Sequence, residues 1–301
     1  MNGLFIGLTT LDLIYLANSP PQNNQKIVAL DYIVAAGGPA TNAAVTFNHL
    51  GNSATILGVV GSHPMTQLIR SDLEKSTVNQ NYQIKIIDLE PTNLNPPPVS
   101  SIIVSEATGE RAVISINAVK IPASIQAIPA DILQHIDVFD LILIDGHQME
   151  ISYHIAEVAK SKDIPIVIDG GSWKPGFEKI LPFVDYAICS ANFYPPNCNN
   201  SEDVFTYLSQ FSIPHIGITH GGDSIEYLIS DFSLNTERLA VKSLIDVPSI
   251  QAVDTLGAGD IFHGAFCHYI LRETFAEALT LSAQIAAYSC QFFGTRCWML
   301  S

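Results

Sequence analysis

Short apolar runs rich in β-branched residues alternate along the chain with longer segments whose apolar residues fall at i, i+3 and i+4. This is the pattern of βα units that build a mostly parallel sheet. The runs Leu4–Leu8, Thr55–Val59, Leu141–Ile144, Ile166–Ile168, Tyr186–Cys189 and His215–Thr219 predict strands, and Ala40–Leu50, Met65–Ser76, Ile151–Lys160 and Val204–Gln210 predict the crossover helices. Two stretches break the rhythm. Ile27–Val34, and Val99–Val104 with Ala112–Ile116, read as extended strands, the last two joined by a turn at Thr108-Gly109-Glu110, and together they predict a small β flap. The Asn- and Pro-rich segment from Pro91 to Pro98 leads into it, since Pro97 and Pro98 can continue neither a helix nor a central strand. Two helices, Ala258–Leu271 and Phe275–Phe292, close the chain. No internal repeat or low-complexity tract divides it, so a single α/β domain over residues 1–301 is expected, with flap segments at about 13–35 and 98–118 inserted in it.

Composition narrows the partners. Of 301 residues, 48% are hydrophobic and 14% charged, enough apolar material for a large buried core. The 29 acidic side chains exceed the 14 basic ones and leave a formal charge of -15, which repels phosphate backbones and anionic lipid, so no nucleic-acid partner is expected. Mean hydropathy is +0.26, yet Asp, Asn, Pro or Gly interrupts every apolar run before the ~18 to 20 residues a membrane span needs. The opening MNGLFIGLTTLDLIYLA carries no Lys or Arg ahead of its apolar stretch and holds Asp12 inside it, so it reads as a strand and not as a secretory signal. Five cysteines without CxxC spacing indicate neither a disulfide framework nor a zinc ribbon, and a cytoplasmic setting fits best.

The densest chemistry lies in Asp254-Thr255-Leu256-Gly257-Ala258-Gly259-Asp260, followed by the apolar helical run IFHGAFCHYIL. Glycines at a helix start let several backbone N–H groups point at one spot, where the helix dipole adds positive potential; that is a cradle for a phosphoryl group. Asp260, in the first turn, stands beside the cradle with a carboxylate able to take a proton from an attacking hydroxyl. GAGD alone would be a glycine-rich turn with a capping Asp. At average residue usage, however, a chance match to the six fixed positions of DTxGAGD has odds of about two in 100,000 for a chain of this size.

DTLGAGD resembles the C-terminal signature of the ribokinase-like (PfkB) carbohydrate kinases. Gly37-Gly38-Pro39-Ala40-Thr41-Asn42-Ala43-Ala44, with Leu50-Gly51 and Gly58-Val59-Val60-Gly61 after it, resembles that family's other signature, GGxxxNxAxxxxxLG followed by GxVG. The resemblance spans nearly the whole chain. It implies a ribokinase-like fold, a central mostly parallel sheet flanked by helices on both faces with a small β-sheet lid, and an ATP-dependent kinase acting with Mg2+ on a hydroxyl of a small sugar-like substrate. It implies that Asp260 is the catalytic base, that Gly257, Ala258 and Gly259 form the anion hole, and that Gly264 is the small residue of that helix. Gly37, Gly38, Asn42 and Asp12, the last just after the first strand, would hold sugar hydroxyls, and the flap would be the lid that excludes water. Arg111 in the lid hairpin is a candidate to reach over the substrate, although surface hairpin arginines are common.

Other matches are partial. Thr219-His220-Gly221-Gly222-Asp223-Ser224 resembles the family's TxGxxG nucleotide loop with Ser224 in place of the last glycine, and a plain hairpin turn explains it almost as well. With Thr255 it makes Thr219, Gly221 and Gly222 nucleotide-binding candidates. Lys174, downstream of the strand-end Asp169, is a candidate for neutralising nucleotide phosphates or else a solvated loop lysine. Asn192 matches the first position of an NxxE motif that organises Mg2+, but Pro195 replaces the Glu, so no protein metal ligand is assigned. Asp145-Gly146-His147 resembles a substrate-side turn, where His147 reads as structural. Ala283, Ala286 and Ala287 either leave room for an adenine ring or pack helices. A Walker A string is absent, so any nucleotide site is not of the P-loop type. The rival readings are a nucleoside kinase of the same fold and a sugar- or nucleotide-binding relative without activity. The apolar alternation of Ile27–Val34 is compatible with a homodimer through the lids.

Overall fold

A computed structural model of the chain describes residues 1–77, 81–116, 123–230 and 240–300. Its strands are β1 (Asn2–Ile6), β2 (Thr10–Ala17), β3 (Asp31–Gly37), β4 (Ser53–Gly58), β5 (Ile84–Asp88), β6 (Val99–Ser105), β7 (Arg111–Ser115), β8 (Leu141–Ile144), β9 (Ile166–Gly170), β10 (Tyr186–Ser190), β11 (His215–His220), β12 (Asp223–Ser230) and β13 (Ala240–Ile245). Its α-helices are α1 (Pro39–His49), α2 (Thr66–Ser76), α3 (Ala130–Gln134), α4 (Met149–Lys160), α5 (Phe177–Ile180), α6 (Ser201–Ser209), α7 (Ala258–Tyr269) and α8 (Phe275–Ser289).

Nine strands form the main sheet in the order β13-β12-β11-β10-β9-β8-β1-β4-β5. From β5 to β11 every pairing is parallel, and β11, β12 and β13 finish one edge as an antiparallel meander. Both faces of the parallel strands are buried, which is why those strands are near-continuous apolar runs. Alternate residues divide between two cores: Leu4, Ile6, Ile142 and Ile144 pack toward Ile151 and Ile155 of α4, whereas Phe5, Leu141 and Leu143 pack toward Phe47 of α1 and Phe266 of α7. Helix α8 opens with a reciprocal cap, in which Thr274 Oγ1 accepts from Glu277 N–H at 3.4 Å and the Glu277 carboxylate accepts from Thr274 N–H at 3.2 Å. No helix among the described residues is long and apolar enough to cross a membrane.

The lid is a separate four-stranded sheet in the order β3-β2-β6-β7. Ile14, Ile102 and Val104 form its small core, against which Leu256 and Phe293 of the body pack. Four details depart from the sequence reading. The opening apolar stretch is two strands in different sheets, so Asp12 does not follow the first strand in a loop but lies within β2 of the lid. Residues 27–30 stand outside β3, which runs on to Gly37, so the first lid segment extends from Thr10 to Gly37. Helix α8 stops at Ser289 because the chain turns there and the Cys290 carbonyl accepts from Val253 N–H (2.8 Å) and Asp254 N–H (3.1 Å), docking the loop ahead of α7. Strand β5 and strand β13 add edges that the apolar pattern did not mark. Residues 117 and 118 of the expected lid lie outside the described residues.

Candidate active site

Strand β1 lies between β4 and β8, so the chain leaves it toward one side of the sheet and returns on the other. Such a reversal opens a crevice at the carboxyl ends of the strands, the usual ligand position in open α/β sheets. A cavity of about 270 Å³ sits there, lined by Asp12, Gly38, Asn42 and Asp260 on one side, by Asp145, His147, Ser172 and Lys174 on the other, and by Ser100, Ile102, Val113 and Ser115 of the lid. Candidates for the substrate and the chemistry from three distant parts of the sequence therefore share one space.

The first turn of α7 faces this cavity. Asp254 shapes the approach: buried, it accepts from Leu256 N–H through Oδ1 and from Gly294 N–H through Oδ2, each at 2.8 Å. Gly257 then takes φ +71° as the N-cap, a backbone state that a residue with a Cβ resists. Within the helix the Ile261 N–H reaches Gly257 O at 2.8 Å, whereas the N–H groups of Gly259 and Asp260 have no acceptor among the described residues. These orphan donors and the helix dipole make an anion-accepting spot beside the Asp260 carboxylate. Gly264, one turn further on, lies against Ala43 and Thr46 of α1.

Asp260 is held from α1. Its Oδ2 accepts from Asn42 Nδ2 at 2.8 Å. Burial raises the Asp260 carboxyl to about 7, and the charge of Asp169 pushes the same way while the Asn42 bond opposes it. Asn42 is itself fixed by Arg296, whose guanidinium donates to Asn42 Oδ1 at 2.9 Å and to Ala36 O at 2.7 Å and lies 3.4 Å from Asp72 Oδ2. Asp72 in turn accepts from Ala36 N–H at 3.0 Å. Arg296 was not singled out in the sequence. It belongs to no motif, and the only signal was the scarcity of cations, which makes any buried one conspicuous.

Asp12 accepts from Thr10 Oγ1 at 2.7 Å and is buried, which raises its carboxyl above the usual range against the lowering effect of the Thr10 and Ser100 hydroxyls. Gly37 ends β3 against Asp12, and Gly38 turns the chain into α1 at φ +98°, where a Cβ would stand 2.2 Å from Leu8 O. On the opposite wall Asp145 binds four donors: Leu8 N–H (2.8 Å), Ala40 N–H (3.1 Å), His147 N–H (2.9 Å) and His147 Nδ1 (3.0 Å). Burial pushes the Asp145 carboxyl up, but His147 and these bonds hold it below its ordinary value. It therefore braces β1, β8 and α1 at the crevice, a role that the sequence did not disclose. Asp169, also buried and raised chiefly for that reason, lies 3.5 Å from His263 Nδ1.

The remaining candidates occupy other places. Lys174 lines the cavity with the substrate candidates. Thr219, Gly221, Gly222 and Asn192 do not; they stand at the carboxyl ends of β10 and β11, where Ala191 N–H reaches Thr219 O at 2.9 Å. Gly221 and Gly222 form the turn of the β11–β12 hairpin, with open space where a Cβ would be. Arg111 is exposed, does not line the cavity, and donates to Thr255 O (3.2 Å) and Thr255 Oγ1 (3.0 Å). Thr255 also donates to Gly109 O at 3.2 Å, so the lid turn is fastened to the start of the DTLGAGD loop. Ala283 is buried in the core with Phe275 and Leu279, Ala286 packs against that core, and Ala287 is buried beside it on α8.

The pfkB family carbohydrate kinase profile matches residues 3–299. The chain belongs to this family. Among its relatives, the ribokinase of Bacillus subtilis is 24% identical over 299 residues, covering 97% of this chain and 93% of its own. The pfkB fold recurs in solved structures: the Giardia lamblia ribokinase superposes with a TM-score of 0.77 at 19% identity, over 99% of this chain and 95% of that one. The Arabidopsis thaliana ribokinase complexed with ribose and ATP does so with a TM-score of 0.71 at 19% identity, over 97% and 93%. As a pfkB carbohydrate kinase the chain is a phosphotransferase with a hydroxyl acceptor.

Proposed function

We propose that this chain transfers the γ-phosphate of ATP to a hydroxyl of a single small sugar-like molecule held in the crevice. The observation that carries this is the Asp260 carboxylate, bound to Asn42 at 2.8 Å and set beside the free amides at the start of α7, in the same cavity as Asp12 and Gly38. Asp260 takes the proton of the acceptor hydroxyl as its oxygen attacks the γ-phosphorus, and the bond to the leaving ADP oxygen breaks. The free N–H groups of Gly259 and Asp260 receive the charge that develops on the phosphoryl oxygens, whereas the Ala258 N–H of the expected anion hole is turned to Thr255 O at 3.4 Å. Asp12, Gly38 and Asn42 orient the acceptor, and the fastened lid keeps water, a competing acceptor, away from the transfer.

A cavity of about 270 Å³ falls below the ~300 to 1,000 Å³ of sites for larger ligands. The nucleotide then extends along the ends of β10 and β11, past Asn192, Thr219, Gly221 and Gly222. Mg2+ enters on the nucleotide: among the described residues no three His, Cys, Asp or Glu side chains gather to hold a metal ion, and Pro195 stands where the family's Glu would. Five free cysteines support a cytoplasmic setting. Exposed Tyr32, Ile114 and Ile116 on the lid support pairing of two copies through their lids.

The test is ADP release from Mg-ATP across pentoses, hexoses, ketoses, sugar acids and nucleosides, with Asp260→Asn alongside. Turnover on a sugar that falls by about 10²- to 10⁴-fold in the variant is expected. An Asp260→Asn enzyme as fast as the wild type would remove Asp260 from its role, and binding of ATP and sugar without any ADP formed would favour the inactive relative.

A further inference from the structure

The two walls of the cavity differ in chemistry. Asp12, Asn42 and Asp260 offer what hydroxyl groups need, whereas the wall built by the loops after β8 and β9 presents a cation. Lys174 Nζ makes only two long contacts, to Asp145 O at 3.4 Å and Ser172 O at 3.5 Å, both beyond the 2.7–3.2 Å of a good N–H···O bond. No carboxylate lies within 4.0 Å of it among the described residues. The acids nearest in the fold are occupied: Asp145 already binds four donors, and Asp169 faces His263. The Lys174 charge lowers the Asp145 and Asp169 carboxyls without bonding either, so its donors are left to a ligand.

The position of Lys174 is built, not incidental. Its neighbour Trp173 packs against Phe177 and Phe193, with ring centroids 5.7 and 5.5 Å away, and its own stem lies over Gly146. Beside it the His147 ring is held at Nδ1 by Asp145, and its Nε2 has no partner among the described residues. The lid adds the hydroxyl-bearing Ser100 and Ser115 to the lining of the same cavity. The expected nucleotide residues Thr219, Gly221, Gly222 and Asn192 line no part of this space.

We propose that the acceptor is a small polyhydroxy acid whose one acidic group binds Lys174 while its reacting hydroxyl lies at Asp260. This rests on the kinase reading and adds the class of substrate. Asp145 and Asp169 flank the single ammonium, so a singly charged carboxylate or sulfonate is repelled less there than a phosphate dianion.

The experiment compares sugar acids, sugar sulfonates, sugar phosphates and the neutral sugars of matching skeleton, by ADP release and by calorimetric binding, in the wild type and Lys174→Met. A singly charged acid should be the best acceptor. A charge-assisted hydrogen bond is worth roughly 1.5–3 kcal/mol, so Lys174→Met should weaken the acid by about 10- to 100-fold, through its KM and its Kd, and collapse the preference over the neutral sugar. Sugar phosphates used best would overturn the single-charge assignment. Neutral sugars used best, with the variant raising KM for ATP instead, would overturn the proposal and leave the kinase standing. Failure of the kinase reading looks different: no acceptor yields ADP, and the binding arm alone then decides, an acid bound by the wild type and lost in Lys174→Met supporting the site and no such difference overturning it.

Discussion

Replacing Asp260 by Asn should stabilise the folded protein, and only in a defined pH range. The carboxyl is raised from an ordinary value of 3.8 to about 7, because burial and the charge of Asp169 disfavour its ionised form more than Asn42 favours it. Below about pH 4 the group is protonated both folded and unfolded, and its ionisation costs nothing. Between about 4 and 7 the unfolded chain has released the proton and the folded chain holds it, so wild-type stability declines as pH rises. Above 7 the full cost of a buried charge is present. A shift of about three units at 1.36 kcal/mol each amounts to roughly 4 kcal/mol. Asn is nearly the same size, cannot ionise, and its carbonyl oxygen still accepts from Asn42 Nδ2. The difference in unfolding free energy between variant and wild type, from urea titrations without ligands, should therefore be near zero at pH 4 and approach that figure at pH 8. Contributions from groups that do not interact with Asp260 cancel in the difference. A difference that stays flat from pH 4 to 8 would refute the reasoning. The same proton should govern turnover, with an acid limb in kcat/KM near pH 7, because the base acts only when ionised.

Two further outcomes follow from the structure. Arg296→Met removes the guanidinium from Asn42, Ala36 and Asp72, and breaking such a buried ionic contact should cost roughly 3 kcal/mol in urea titration. It should also raise the acceptor's KM more than that of ATP, with Arg296→Lys recovering part of the loss; equal effects on both KM values would make Arg296 merely structural. Pairing through Tyr32, Ile114 and Ile116, exposed by 66%, 77% and 60%, predicts a light-scattering mass of twice 32.6 kDa that Ile114→Asp halves, and a wild-type monomer would end that idea.

The parallel sheet was legible in the chain because its central strands are buried on both faces and so carry runs of Leu, Ile and Val, as at Leu141–Ile144 and Ile166–Ile168. The lid hairpin around Gly109 was legible from its turn residues, and the α7 loop from glycines whose backbone state a side chain would oppose. Local chemistry leaves local marks. The edge strands β5 and β13 carry weaker ones, since an edge meets a single neighbour and tolerates polar residues. The break between β1 and β2 was hidden because both are apolar, and what separates them is which sheet each joins.

Partnership was decided only by the tertiary fold. Nothing near Arg296 in sequence announces Asn42, 254 positions away, and nothing near Asp145 announces the amides of Leu8 and Ala40. Such bonds depend on where distant elements meet, and a polar side chain looks the same in sequence whether its partner is water or a buried amide. Lys174 is the sharpest case. Its residue type spoke only for a cation in the cleft, and the fold sets it on the same cavity as Asp12, Asn42 and Asp260, beside the packed Trp173. The string DTLGAGD marked the start of α7 in sequence, whereas the cavity that this turn faces forms only when β8, β9 and the lid come together.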